Sequence, residues 1–376
     1  MRSTFLVVLA SFAFFAPPAP SQENGADAAA AIEAGLGWLA RHQDPAGKWD
    51  SDGFSTSCKG EACSGPGADW CDPGQTGLAL LAFLGAGHVP GKGTHAEAVS
   101  RAIGYLRGIQ DAEGCFGPRE NQYMYNHAIA TLAICEAYGE TKQKDLMVPA
   151  QKGIEFLLAA QNPGKAWRYQ IKPGDNDTSV TAWALLALVS ARTVGIEVPA
   201  GAFEGAREWL DAATDEATGR TGYIVKGDTG ARLREEIGIF APSETCTAIS
   251  IWARSFLSLD REGPLAGRQV ELLLASLPCH DPTGGPGGTS TIDSYYWYHG
   301  SFAALRTGGE TWKTWDAALV TAIVPHQSDK GDALGSWDPI GAWKGVGGRV
   351  TATALNLLSL EIHSRAEKAH AHEREK

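Results

Sequence analysis

Six times along this chain, an amphipathic helix-forming segment is followed by a second segment rich in Ala, Gly, Thr and Leu. The second segments cover 76–87, 126–138, 178–191, 245–259, 298–307 and 351–363. Equivalent positions in them (Gly77, Ala128, Ala182, Ala248, Gly300 and Ala352) lie 51, 54, 66, 52 and 52 residues apart. A period of this length marks stacked supersecondary units, each of which can bury its apolar face only against a neighbour. An open stack would need polar capping repeats at its ends, and the sequence has none, so the pattern predicts closure. The expected fold is all-α: a closed α6/α6 toroid, with small-residue helices as the inner ring and amphipathic helices as the outer one.

The first helix of each pair tends to end in aromatic-Leu-x-x-x-Gln, followed by a Gly and an aromatic. Copies are Trp38-Leu39…Gln43…Gly47…Trp49, Tyr105-Leu106…Gln110…Gly114…Phe116 and Phe156-Leu157…Gln161…Gly164…Trp167. Trp209-Leu210…Gly222-Tyr223 lacks the Gln, 276–288 has lost the signature, and the last copy keeps Gln327…Gly335…Trp337. A Gln amide can donate to the unpaired carbonyls of a helix end or bridge to the next helix. Gly allows the turn, and the aromatic covers the helix end. The signature describes how repeats are joined.

These copies resemble the QW motifs of the prenyltransferase/squalene-oxidase repeat superfamily, over about residues 28–365. The resemblance implies the toroid of terpenoid cyclases and protein prenyltransferase β subunits. It is less specific for activity, because one fold carries unrelated functions. The expected function is binding of a small apolar, isoprenoid-like molecule in the central cavity, with any catalysis being terpenoid-cyclase- or prenyltransferase-like. Alternatives are a non-catalytic interaction toroid and a glycan-processing α/α toroid enzyme.

In such a ring the N-terminal ends of the inner helices open on one rim. Asp175-Asn-Asp-Thr-Ser-Val-Thr181 resembles the acid motif of class II terpene cyclases, which implies Asp177 as proton donor with Asp175 assisting. In one alignment, however, Asn176 falls where the acid belongs. Such chemistry needs a carboxylic acid kept protonated in an apolar setting. Similarity to prenyltransferase β subunits implies zinc as a cofactor, on Glu244, Cys246 and His299, with Asp293 near. Tyr123, Tyr125, His127, Tyr296 and Arg349 are the expected ligand-binding residues. In 293–299, Tyr295 and Tyr298 share one helical face while Tyr296 and His299 share another; one stripe is core and the other faces the cavity. Helix capping is the competing role for Asp175, Asp177, Glu244 and Asp293.

Residues 1–21 have the form of a secretory signal peptide: Arg2, an apolar run over 5–15, and a small-x-small exit at Ala19-Pro-Ser21. The expected mature toroid spans 22–365, followed by a polar tail at 366–376, in a secreted or periplasmic monomer. Export implies an oxidising compartment. Cys58, Cys63 and Cys71 crowd one Gly-rich loop, where a disulfide is expected with its pairing open. A formal charge of −11 argues against nucleic acid or anionic lipid as a partner, and no segment after residue 21 is long and apolar enough to span a membrane.

Overall fold

The computed structural model describes residues 22–234, 239–257, 263–285 and 289–362. The signal-like segment and the polar tail lie outside the described residues. Twelve α-helices occur among those described: α1 (Gln22–Arg41), α2 (Asp72–Gly85), α3 (Ala96–Ile109), α4 (Tyr123–Thr141), α5 (Lys144–Ala160), α6 (Thr178–Thr193), α7 (Ala200–Ala213), α8 (Thr245–Phe256), α9 (Pro264–Ala275), α10 (Ser294–Thr307), α11 (Gly309–Ile323) and α12 (Lys344–Leu360).

The even-numbered helices form an inner ring. α2 packs on α4, α4 on α6, α6 on α8, α8 on α10 and α10 on α12, and α12 returns to α2. The odd-numbered helices cover this wall from outside, α1 lying against α12 and α2 at the seam. The closed toroid is therefore present. Close approach of inner helices needs missing side chains: a Cβ on Gly77 would come within 3.1 Å of the Ala130 backbone nitrogen.

Because outer and inner helices alternate, all inner helices run the same way. Connections leaving them are short, as at 142–143 and the single residue 308. Connections entering them are long: 42–71, 110–122, 161–177, 214–244, 276–293 and 324–343. The rim holding the inner N-termini thus carries almost all the irregular chain. The widest interval, between Ala182 and Ala248, is explained by an antiparallel hairpin in the fourth entering loop, β1 (Gly230–Arg234) with β2 (Ile239–Pro242).

The repeated glutamine is a bracket. Gln43 Nε2 donates to Gly47 O at 2.8 Å and to Ala98 O of α3 at 2.9 Å. Gln110 bonds Gly114 O and Pro149 O of α5, Gln161 bonds Lys165 O and Ala202 O of α7, and Gln327 bonds Gly335 O and Ala31 O of α1. Each amide closes its own turn and ties it to the next outer helix, and Gln327 joins the last turn to the first helix. The signature tryptophan closes the helix end: Trp49, Trp167 and Trp337 donate Nε1–H to Leu39, Leu157 and Ile323 carbonyls. Their backbone N–H groups bond Thr76, Thr181 and Thr353 on the inner helices.

Glycine is required at the bracket turn. Gly47 has φ +94°, and a Cβ there would lie 2.4 Å from Arg101 O, a backbone atom that cannot swing away. Gly47→Ala is therefore expected to cost about 2–3 kcal/mol. Gln43→Leu, which loses two buried bonds and leaves carbonyls unpaired, should cost about the same. Urea unfolding of the two variants checks both.

Candidate functional site

Asp177 caps α6 from a fully buried position. Its Oδ1 accepts from Val180 N at 2.7 Å, as an N-cap side chain should. Its Oδ2 has no hydrogen-bond partner, and Arg168 Nε, also without one, stands 3.9 Å away. Burial pushes the Asp177 carboxyl up to about 7, against the pull of the Val180 N–H and the Arg168 charge. An acid poised there can exchange a proton at neutral pH. The cap role and a chemical role thus fall on different oxygens of one side chain.

Four half-buried tyrosines surround this acid. Tyr125 comes from α4, Tyr169 and Tyr223 from entering loops, and Tyr295 from α10. The Tyr169 and Tyr223 hydroxyls hydrogen-bond each other, and the Tyr125 and Tyr169 rings are 6.1 Å apart. Tyr295 OH bonds Ser179 Oγ at 2.5 Å and accepts from Trp183 Nε1 at 3.1 Å. Burial, then the neighbouring negative groups including Asp177, pushes the Tyr125 and Tyr223 phenols up, so they stay protonated donors. Beside Tyr295 lies a small, shallow depression whose wall includes Ser294, Ile340, Trp343, Lys344, Thr351 and Leu355. Trp343, held at φ +66° just before α12, meets the Tyr295 ring edge-on.

The interior below this mouth is closed by rings. Trp183 of α6 stacks on Tyr298 of α10 at 5.4 Å, although these helices are not successive in the ring. Trp252 of α8 stacks on His299 at 6.0 Å, and Tyr295 and Trp183 present edges to the same imidazole. His299 is fully buried, neither nitrogen has a hydrogen-bond partner, and burial pulls it down to about 3. A neutral imidazole inside an aromatic cage packs as a core ring.

Several expected site residues have structural employment instead. His127 occupies the inner-helix register of Thr76 and Thr181: its Nδ1 accepts from Phe116 N at 3.1 Å, and its Nε2 bonds Gly153 O. Tyr123 is buried and its hydroxyl accepts from Ile171 N. Tyr296 points outward, edge-on to Trp315 and bonded to Ser276 O; the mouth-facing stripe is that of Tyr295. Arg349 is not a free rim cation. It is 2% exposed and bonds Ser64 O, Ser336 Oγ and Asp338, pinning the first and last entering loops together. Asp175 sits at the surface, paired with Arg168, and Asn176 accepts from Asn162 and Ala166 N. Asp293 caps α10 through Tyr296 N and faces Arg232 Nε at 3.4 Å; burial raises its carboxyl while Arg232 opposes this.

The expected zinc set does not assemble. Glu244 is held by Arg220 at 2.8 Å and by Thr247 at 2.9 Å, and Cys246 is buried with its thiol pushed up. Among the described residues, the one group of three such ligand atoms within 4.8 Å of each other is His42, Cys58 and Cys63. The loop cysteines form no disulfide: Cys58 and Cys63 sulfurs stand 3.2 Å apart, and Cys71 is a separate buried thiol pushed up to about 12. Arg168, Tyr169, Trp183 and Trp343 went unnoticed as sequence. The visible hint was Tyr223, a hydroxyl-bearing ring where other repeats place Trp or Phe.

This arrangement defines an α/α toroid protein with a buried, raised acid and half-buried tyrosines on its loop-bearing rim. The chain matches no protein-family model and no curated protein sequence. Solved structures share the fold. Cellobiose 2-epimerase from Bacillus thermoamylovorans aligns with TM-score 0.61 at 12% identity, over 91% of this chain and all of that one. An inactive variant of an α-1,6-mannanase from Salegentibacter, in complex with α-1,6-mannotriose, aligns at 0.57 and 12%, over 91% and 99%. A type II terpene cyclase from Scytonema, in complex with geranylgeranyl dihydroxybenzoate, aligns at 0.58 and 13%, over 93% and 100%. At these identities the likeness is one of architecture.

The acid makes a prediction independent of any substrate. The folded value for Asp177, about 7, lies above the ordinary 3.8, so the folded chain holds this proton more tightly than the unfolded chain. The contribution is fully present below about pH 4 and is lost as pH rises to about 7. Asp177→Asn keeps a capping oxygen and removes the titration. Its urea midpoint should therefore fall less than that of the parent between those pH values.

Proposed function

We propose that the protein binds a saccharide ring at the toroid mouth, with Asp177 as the group able to exchange a proton there. The observation that carries this is the aromatic plug of Trp183, Trp252, Tyr298 and His299. These buried rings pack on one another between α6, α8 and α10, and the shallow depression above them is walled by rings and hydroxyls. Flat aromatic faces suit the C–H faces of a pyranose, and Tyr295, Ser294 and Thr351 offer hydroxyls for its polar edge. Two of the structural neighbours are named for carbohydrates, an epimerase of cellobiose and a mannanase. Hydrolysis would use two facing carboxylates, whereas Asp175 and Asp293 each face an arginine. Proton transfer at Asp177 is the chemistry this site best supports.

A second reading keeps the apolar, isoprenoid-like guest. It is favoured by the unpartnered Oδ2 of Asp177, an acid of the kind that protonates an alkene. Under this reading the plug must rearrange to admit the guest.

Binding of gluco- and manno-oligosaccharides, followed by saturation-transfer NMR and calorimetry, tests the first reading. Trp343→Ala should weaken binding about tenfold, the loss of one stacking face worth about 1.4 kcal/mol. Asp177→Asn should remove any turnover while leaving binding in place. Absence of saccharide binding, with an isoprenoid lipid retained in native mass spectrometry, would reverse the order of the two readings.

A further inference from the structure

Far from the mouth acid, the first outer helix and the first entering loop bring three soft ligands together. His42 follows the last residue of α1, and Cys58 and Cys63 flank the turn 59–62 of the loop. Cys58 Sγ is 3.5 Å and Cys63 Sγ 3.7 Å from His42 Nε2, and the sulfurs are 3.2 Å apart. His42 and Cys63 are buried, while Cys58 is half-exposed and gives the group a side open to solvent.

The imidazole is set as a ligand. His42 Nδ1 lies 2.9 Å from Trp38 O, a carbonyl that can only accept, so Nδ1 carries the hydrogen and Nε2 presents its lone pair to the sulfurs. The ring is held in that plane by stacking on Trp38 at 4.3 Å and by the edge of Phe54. The buried Trp38 Nε1–H, on the ring that stacks against His42, has no hydrogen-bond acceptor.

We propose that His42, Cys58 and Cys63 bind one Zn²⁺-class ion, with a fourth position open to water or a ligand. Around a tetrahedral ion, bond lengths of about 2.3 Å to sulfur and 2.0–2.1 Å to nitrogen put sulfur about 3.6 Å from nitrogen and sulfurs about 3.8 Å apart. The observed nitrogen–sulfur distances already match. The sulfurs need to part by about 0.6 Å, which is less than the movement of about 1.2 Å needed to reach a disulfide. The ion would bind as both thiols lose protons, and would tie α1 to the loop that Arg349 pins to the last repeat. Cys71, the third cysteine of the loop, lies outside the group.

The test uses the full chain, purified and reduced, titrated with Co²⁺ and Zn²⁺. Expected are thiolate-to-Co²⁺ charge-transfer bands saturating at one equivalent, displaced by Zn²⁺, and a rise in Tm with Zn²⁺. Cys63→Ser and the half-exposed Cys58→Ser should each weaken binding more than about 100-fold, while Cys71→Ser and His299→Ala leave it unchanged. Folded, reduced protein without thiolate bands overturns the proposal. So does binding that survives both Cys58→Ser and Cys63→Ser. A Cys58–Cys63 disulfide in the isolated protein, found by peptide mapping, overturns it if the reduced form takes up no metal.

Discussion

The glutamine bracket is the interaction on which the ring depends. A helix pair cannot bury its apolar face alone, so every unit must be fixed at a definite angle to its neighbours. One amide does this by donating two hydrogen bonds, one to its own turn and one to the next outer helix. At Gly47, Gly114 and Gly335 the glycine beside it permits an approach in which a Cβ would strike backbone. Where the glutamine is missing, other groups take over: Gln269 of α9 reaches Thr221 and Ser250, and Trp315 bonds Ser301. The bracket that closes the circle, Gln327 to Ala31, spans 296 residues of sequence.

Fixing the helices this way decides where chemistry can occur. Long entering loops gather on one rim, and the inner helices deliver side chains to a common axis. In many architectures of this kind that axis could hold a cavity. Here Trp183, Trp252, Tyr298 and His299 occupy it, so the polar chemistry is displaced upward to Asp177 and its tyrosines. Burial both raises the acid and removes His299 from service. The same low-polarity setting has opposite consequences for a carboxyl and an imidazole, because it penalises whichever form is charged.

Sequence reasoning was strongest where a local rule and a tertiary rule coincided. Asp177 and Asp293 were legible as caps and as rim residues, and they are both. It failed where one residue type serves either purpose. His127 looks like a ligand residue, yet it does the work of the threonines in other repeats. Arg349 looks like a free cation at a helix start, yet it is spent on Ser64, Ser336 and Asp338. Tyr296 and Tyr295 are adjacent, and a rotation of about 100° separates a ring packed on the outer wall from one at the mouth. His42 was passed over because it reads as the last turn of a signature helix, sixteen residues before its first cysteine.

By itself the sequence determined the period, the alternation of helix types and the closure of the ring. These follow from apolar spacing and small-residue content, which are properties of neighbours along the chain. Only the tertiary structure decided what fills the axis, which tyrosine faces the mouth, and which of three loop cysteines meets a histidine. Those outcomes depend on side-chain direction across elements remote in sequence, and on burial, which sets protonation. Neither quantity is carried by a residue's identity.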